Sequence, residues 1–113
     1  MIDLDFLKAI NDEHGHRVGD ECLLRFAQAL RTSFRPEDDV IRYAGDEFLV
    51  VCQGLDEESV AARIARMREK MASRESLPVT FSVGIAELAP GADPEQALRE
   101  ADAAMYEAKR ASE

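Results

Sequence analysis

Ile41-Arg42-Tyr43-Ala44-Gly45-Asp46-Glu47-Phe48-Leu49-Val50-Val51 is the stretch whose reading decides the fold. Two β-prone arms, Ile41 and Tyr43 on one side and Phe48 to Val51 on the other, flank a short break. That break, Ala44-Gly45-Asp46-Glu47, reads as a tight hairpin. Gly45 is expected to take the positive φ that such turns often need. The turn presents two adjacent carboxylates at the end of a rigid ribbon. Side chains alternate along a strand, so Asp46 and Glu47 are expected on different faces. One can then hold a metal while the other does a separate job. A solvated hairpin tip, acidic for solubility, is the plain alternative, and this stretch alone does not separate the two.

Upstream, Ile2 and Leu4 alternate with Asp3 and Asp5 in a short, abrupt strand pattern. Phe6 to Ile10 turns helical and ends near Asn11-Asp12. Gly15 and Gly19 are expected to bracket a loop, with Asp20 opening the next helix as a cap or first-turn residue. Leu23, Phe26, Ala27, Leu30 and Phe34 follow at helical spacing, and Pro36 stops them. Downstream, 57 to about 73 reads as a third helix with Val60, Ile64, Met67 and Met71 on its buried face. The methionines are core residues rather than a cofactor box. Residues 78–85 alternate as a strand, with Val79, Phe81, Val83 and Ile85 facing the core. Asp93 caps a last helix, with Pro94 in its first turn and Gln96 completing a box-like motif. The order strand, helix, helix, hairpin, helix, strand, helix predicts an α+β domain, helices packed on one antiparallel sheet.

At 113 residues the chain is long enough for one core, and its 46% apolar content argues against disorder. The net charge of -9, with 14 scattered Lys and Arg, argues against a nucleic-acid polymer or membrane surface as partner. An anionic ligand would have to be held locally, by cations or a metal. Cys22 and Cys52 have no metal-site spacing and are expected as small core residues in a reducing compartment. Without a signal peptide or a membrane-length apolar run, a cytoplasmic location is expected.

Five segments resemble one family, the GGDEF domains of diguanylate cyclases. Residues 3–12 (DLDFLKAIND) are similar to its D-x-D-x-F-K-x-x-N-D opening, and Gly15 to Asp20 (GHRVGD) to G-H-x-x-G-D. Arg42 to Phe48 resembles R-x-G-G-D-E-F, Val79 to Ala86 resembles V-T-x-S-x-G-x-A, and Ala101 to Lys109 resembles A-D-x-A-L-Y-x-A-K. Each is weak alone; five in the family's order are specific. The resemblance implies a nucleotide-cyclase, palm-like (ferredoxin-like) fold and a reaction joining two GTP into cyclic di-GMP with release of pyrophosphate. It implies two Mg²⁺ per half-site, with Mn²⁺ as a substitute, held by Asp3, the Leu4 carbonyl and Asp46. Asp46 and Glu47 are the implied catalytic carboxylates. Asn11 and Asp20 are implied for guanine, although they also read as a helix end and a helix cap. Lys8 and Lys109 are implied for phosphates, with Gly45 also at the substrate; for the lysines a solvated helix face is the alternative. His14 and His16 are expected to fix a loop rather than ligate metal. Arg35-Pro36-Glu37-Asp38 stands where the family has its R-x-x-D product-inhibition site, with Arg66 a further candidate there.

Ala44 replaces the family's first signature glycine, and Phe6-Leu7 stand where a polar residue and Phe are common. The expected single domain, residues 1–113, lacks the family's usual N-terminal helix and last C-terminal strand, and lower stability than a full domain is expected. The leading reading is an enzyme acting as an antiparallel homodimer. The alternative is an inactive module that binds GTP or cyclic di-GMP as a sensor or regulator. A purely structural interaction domain leaves Asp3, Asn11, Asp20 and Asp46 unexplained.

Overall fold

The computed structural model describes residues 1–5, 7–74 and 80–111. The elements are β1 (Ile2–Asp5), α1 (Leu7–His14), α2 (His16–Ser33), β2 (Asp39–Ala44), β3 (Glu47–Val51), α3 (Glu57–Arg74), β4 (Thr80–Val83) and α4 (Pro94–Ala111). The four strands form one sheet in the order β2-β3-β1-β4, antiparallel throughout. This is the expected α+β, ferredoxin-like architecture. Short β1 is central, paired with β3 and β4, so whatever it carries is held from both sides.

One sheet face builds the main core. Ile2, Leu4, Phe48 and Phe81 pack with Phe26 and Leu30 of α2 and with Ile64 and Met67 of α3. Phe26 is fully buried, its ring centroid 5.4 Å from that of Phe48 and 5.1 Å from that of Phe81. Burying such side chains contributes about 1.5–3 kcal/mol each, which makes this triple the anchor of the sheet to α2. The 3.6-residue spacing of the α2 and α3 apolar positions is what lets both helices face the sheet this way.

The other face lies under α4. Ala101 and Met105 pack on Met1, and Gly84 permits the approach: a Cβ there would sit 1.9 Å from the Ala101 carbonyl oxygen. Because both faces are covered, the alternation in β1 does not run apolar-in, polar-out; all four of its residues are buried. Asp5 accepts a hydrogen bond from Ser82 Oγ, which lies 3.0 and 3.1 Å from its two oxygens. The outer face of the β2–β3 hairpin leaves Ile41, Tyr43 and Val51 exposed. No helix among the described residues is long and apolar enough to cross a membrane.

Several local expectations need correction. Gly15 and Gly19 do not bracket a loop. Gly15, at φ 90°, is the single break between α1 and α2, and α2 starts at His16. His14 and His16 are therefore helix-end residues, and Asp20 lies inside α2 rather than capping it. Gly19 is buried where α2 crosses α1: a Cβ would stand 1.6 Å from Asn11 Oδ1. The glycine answers a packing demand, which composition alone reads as a turn. Gly45 does not adopt positive φ; a register irregularity between Arg42 and Ala44 helps accommodate the hairpin turn instead. Gln96 does not close a capping box: Glu95 N–H donates to Asp93 Oδ1 at 3.0 Å, but Gln96 Nε2 reaches forward to Glu100. In β4, Phe81 and Ser82 are both buried, and Ile85 lies past the strand end. Phe6, Pro78 and Val79 lie outside the described residues.

Candidate active site

The site starts from the way the hairpin tip is tied to β1. Leu4 N–H donates to the Asp46 carbonyl at 2.9 Å, and Asp3 pairs in register with Glu47. Asp3 is thereby brought near the adjacent carboxylates Asp46 and Glu47 from a distant part of the sequence. Burial pushes the Asp3 carboxyl up, Lys109 opposes that shift, and nearby Asp46 adds to it. Burial also raises Glu47, reinforced by Asp3, Asp102 and Asp46. Asp3 thus belongs to the covered face beneath α4, from which Lys109 reaches its Oδ2 at 2.7 Å. That contact raises the Lys109 ammonium above its ordinary value.

The other oxygen of Asp3 is exceptional. Oδ1 is buried with no hydrogen-bond partner, a costly state for an anionic oxygen. Among the described residues no group of three or more His, Cys, Asp or Glu is arranged to hold a metal ion unaided. The donors on hand, Asp3 with nearby Asp46, are hard oxygens. They fit Mg²⁺, which binds through one or two carboxylates and completes its shell with water and phosphate oxygens.

Next to Asp46 lies a cleft of about 510 Å³. Lys8, Asn11, Asp20, Gly45 and Asp46 all line it, so five residues assigned to substrate or chemistry from sequence share one cavity. α1 supplies Lys8 and Asn11, the first turns of α2 supply Asp20, and the hairpin supplies the rest. Lys109 is not among the lining residues; it stands on Asp3. Arg42 and His16 are among the lining residues not singled out from sequence as site residues. Arg42 donates from Nε and Nη2 to the Gly45 carbonyl at 3.1 and 2.6 Å, bracing the tip. Its signal was its place three residues before Gly45 in the signature. His16, expected to fix a loop, lines the same cleft. A larger groove of about 970 Å³ lies elsewhere, is mostly apolar, and is lined by none of the predicted site residues.

Arg35 and Asp38 do come together, but chiefly on each other. Arg35 Nη2 lies 2.8 Å from Asp38 Oδ1, and Arg35 N–H donates to Oδ2 at 2.8 Å. The Asp38 side chain is fully buried, and Arg35 holds its carboxyl below the usual carboxylate range. The charged turn is thus a closed ion pair, with Arg31 Nη1 donating to the Asp38 carbonyl at 2.8 Å. From α3 the cation acting on Asp38 is Arg63, which also donates to the Ser33 carbonyl. Arg66, one helical turn on, is exposed. Cys22 is buried and Cys52 half-buried, in line with a packing role.

Comparison with known proteins finds one family. The family model "Diguanylate cyclase, GGDEF domain" matches residues 1–113. The chain is 37% identical over 117 residues to diguanylate cyclase DosC of Escherichia coli, covering 97% of this chain and 25% of that protein. It is 40% identical over 119 residues to the response regulator PleD of Caulobacter vibrioides, covering 96% and 26%. Among solved structures, the GGDEF domain of DgcB from Caulobacter crescentus, in complex with c-di-GMP, matches with a TM-score of 0.89 at 29% identity, over 97% of this chain and 70% of that one. The GGEEF domain of a diguanylate cyclase from Vibrio cholerae matches at 0.85 and 27%, over 96% and 73%. The chain spans about a quarter of the length of DosC and PleD. Sequence order and fold agree, and the chain belongs to the diguanylate cyclase GGDEF-domain family.

Proposed function

We propose that this domain is the catalytic unit of a diguanylate cyclase that condenses two GTP into cyclic di-GMP, two copies of the domain facing each other antiparallel with one GTP each. The observation that carries this reading is the shared cleft of Lys8, Asn11, Asp20, Gly45 and Asp46 beside the unpartnered Asp3 Oδ1. Family membership supports it. Asn11 and Asp20 take the guanine edge: a carboxylate suits N1–H and the N2 amino group, and an amide can donate to O6. Lys8, and Lys109 when drawn from Asp3, meet the phosphates as compact charges.

Asp3, Asp46 and the Leu4 carbonyl would hold Mg²⁺, or Mn²⁺ in its place. Bound there, the metal supplies charge neutralisation for the triphosphate and lowers the pKa of the attacking hydroxyl. In each half-reaction a ribose 3′-oxygen forms a bond to the α-phosphorus of the facing GTP. The bond from that phosphorus to the bridging oxygen breaks, and pyrophosphate leaves. Asp46 accepts the hydroxyl proton, and Glu47 supports the local charge arrangement. A single domain carries one such cleft, so closure of the cyclic product requires the second copy.

Cyclic di-GMP, present in the DgcB complex, is the expected product and also a candidate ligand at Arg35. Binding there has to exchange contacts with the closed Arg35–Asp38 pair. The cyclase reading is tested by incubating the protein with GTP and Mg²⁺ beside an Asp46→Ala control. Cyclic di-GMP and pyrophosphate in the first sample only are expected. Folded protein that binds GTP without turnover would favour the binding-module reading instead.

A further inference from the structure

Lys109 is placed to do more than meet phosphate. Its ammonium lies 2.7 Å from Asp3 Oδ2, while Asp3 Oδ1 is buried and unpartnered. Asp3 is fixed on the central strand between β3 and β4 and is 9% exposed, so water reaches little of it. Lys109 is its opposite in mobility. It stands in the last turn of α4 with its side chain 32% exposed, on a flexible four-carbon stem. The helix itself is held where Gly84 meets Ala101 and Met105, so any movement belongs to the side chain. One carboxylate is therefore asked to serve two cations, an ammonium already on it and a divalent ion that the site's donors fit.

We propose that Lys109 competes with the divalent cation for Asp3 and thereby makes metal binding and nucleotide binding depend on each other. This rests on the reading of the cleft as a metal–nucleotide site. A divalent ion at Asp3 is repelled by an ammonium a few ångströms away. A triphosphate in the neighbouring cleft offers that ammonium other anionic oxygens, and Asp3 is released to the metal. By linkage, the factor by which nucleotide tightens metal is the factor by which metal tightens nucleotide.

The test is Mn²⁺ titration followed by electron paramagnetic resonance. It is run with and without a non-hydrolysable GTP analogue, on wild type, Lys109→Met, Lys109→Gln and Lys109→Arg, each checked for a cooperative melt. Without nucleotide, the Met and Gln variants are expected to bind Mn²⁺ at least about fivefold tighter than wild type, the low end of typical couplings. Lys109→Arg, which keeps the charge, stays near wild type. The gain in Mn²⁺ affinity on adding the analogue shrinks in the Met and Gln variants. Unchanged or weaker Mn²⁺ binding by those variants overturns the proposal, as does an Arg variant that gains as they do. In both cases analogue-dependent Mn²⁺ binding by wild type leaves the site reading intact. If no variant binds Mn²⁺ with or without analogue, the site reading fails and the proposal fails with it.

Discussion

Gly19→Ala should separate stability from ligand recognition in this domain. The new Cβ would stand 1.6 Å from Asn11 Oδ1 and 2.8 Å from its Cγ, so the Asn11 amide has to rotate away. What it meets is the end of a flexible side chain, and the fold can yield there. Replacing glycine by alanine inside a helix gains about 0.8–1.0 kcal/mol. Forcing Asn11 off its preferred rotamer costs about 0.5–1.5 kcal/mol. The two nearly cancel, and urea unfolding should place the variant within about 1 kcal/mol of wild type. Recognition does not cancel. With Asn11 turned aside, its guanine partner is left unsatisfied at a cost of about 1–3 kcal/mol, roughly 5- to 150-fold in Kd. Calorimetric titration with a non-hydrolysable GTP analogue reads that loss, and Asn11→Ala should show one of the same size. In the Asn11→Ala background, Gly19→Ala should cost no further affinity and should stabilise by its full helix gain, a non-additivity expected of contacting residues. Wild-type affinity in Gly19→Ala, or losses that add in the double variant, would refute the link between this helix crossing and the guanine site.

Three further outcomes follow from the packing and the charges. Phe26→Ala, which removes the ring between Phe48 and Phe81, should cost about 3–5 kcal/mol in denaturant unfolding; a loss below about 2 kcal/mol contradicts its central place. Gly84→Ala drives a Cβ against backbone, 1.9 Å from the Ala101 carbonyl oxygen and 2.3 Å from Met105 N. No rotamer relieves that clash, so it should cost at least the about 1–3 kcal/mol typical of overpacking, and a melt like that of wild type would contradict the close approach of α4. Asp38, whose carboxyl Arg35 holds below its usual value, binds fewer protons folded than unfolded just below the ordinary Asp pKa of ~3.9. Its stabilisation is therefore complete above that pH and is lost as pH falls through the depressed value. In thermal melts from pH 7 to pH 2.5, the gap between wild type and Asp38→Asn should be constant near neutrality and close in acid; a gap that widens in acid would reverse the assignment.

The sheet and its helices were legible in the chain because their signals are local. Leu23, Phe26 and Leu30 announce a helix face by spacing alone, and Phe48 to Val51 announce a strand. The cleft was legible through the family resemblance, which named five of the residues that share it. What local reading missed was set by contacts between distant segments. Gly19 carries the composition of a turn, but its reason is Asn11, across a helix crossing. Asp38 carries the composition of a solvated turn, yet it is buried on the Arg35 guanidinium, Arg35 Nη2 also donating to the Gln53 carbonyl just past β3. Asp3 reads as the polar position of an alternating strand; only the packing of α4 over that face shows it buried. Arg42 opens the signature, but its bracing role shows only once the turn is built. Strand period was expected to set the faces of Asp46 and Glu47, but Asp46 lies in the turn before β3 begins at Glu47, and their closeness to Asp3 depends on the bond from Leu4 N–H to the Asp46 carbonyl.

Asp3 and Asp46 are proposed as a metal site opening onto a guanine-nucleotide cleft. A crystal of the protein grown with Mn²⁺ and a non-hydrolysable GTP analogue, measured at a wavelength where manganese scatters anomalously, tests it most directly. Manganese is expected on Asp3 Oδ1 and Asp46, and guanine against Asn11 and Asp20. Nucleotide seated in the larger apolar groove, or manganese away from Asp3, would contradict it.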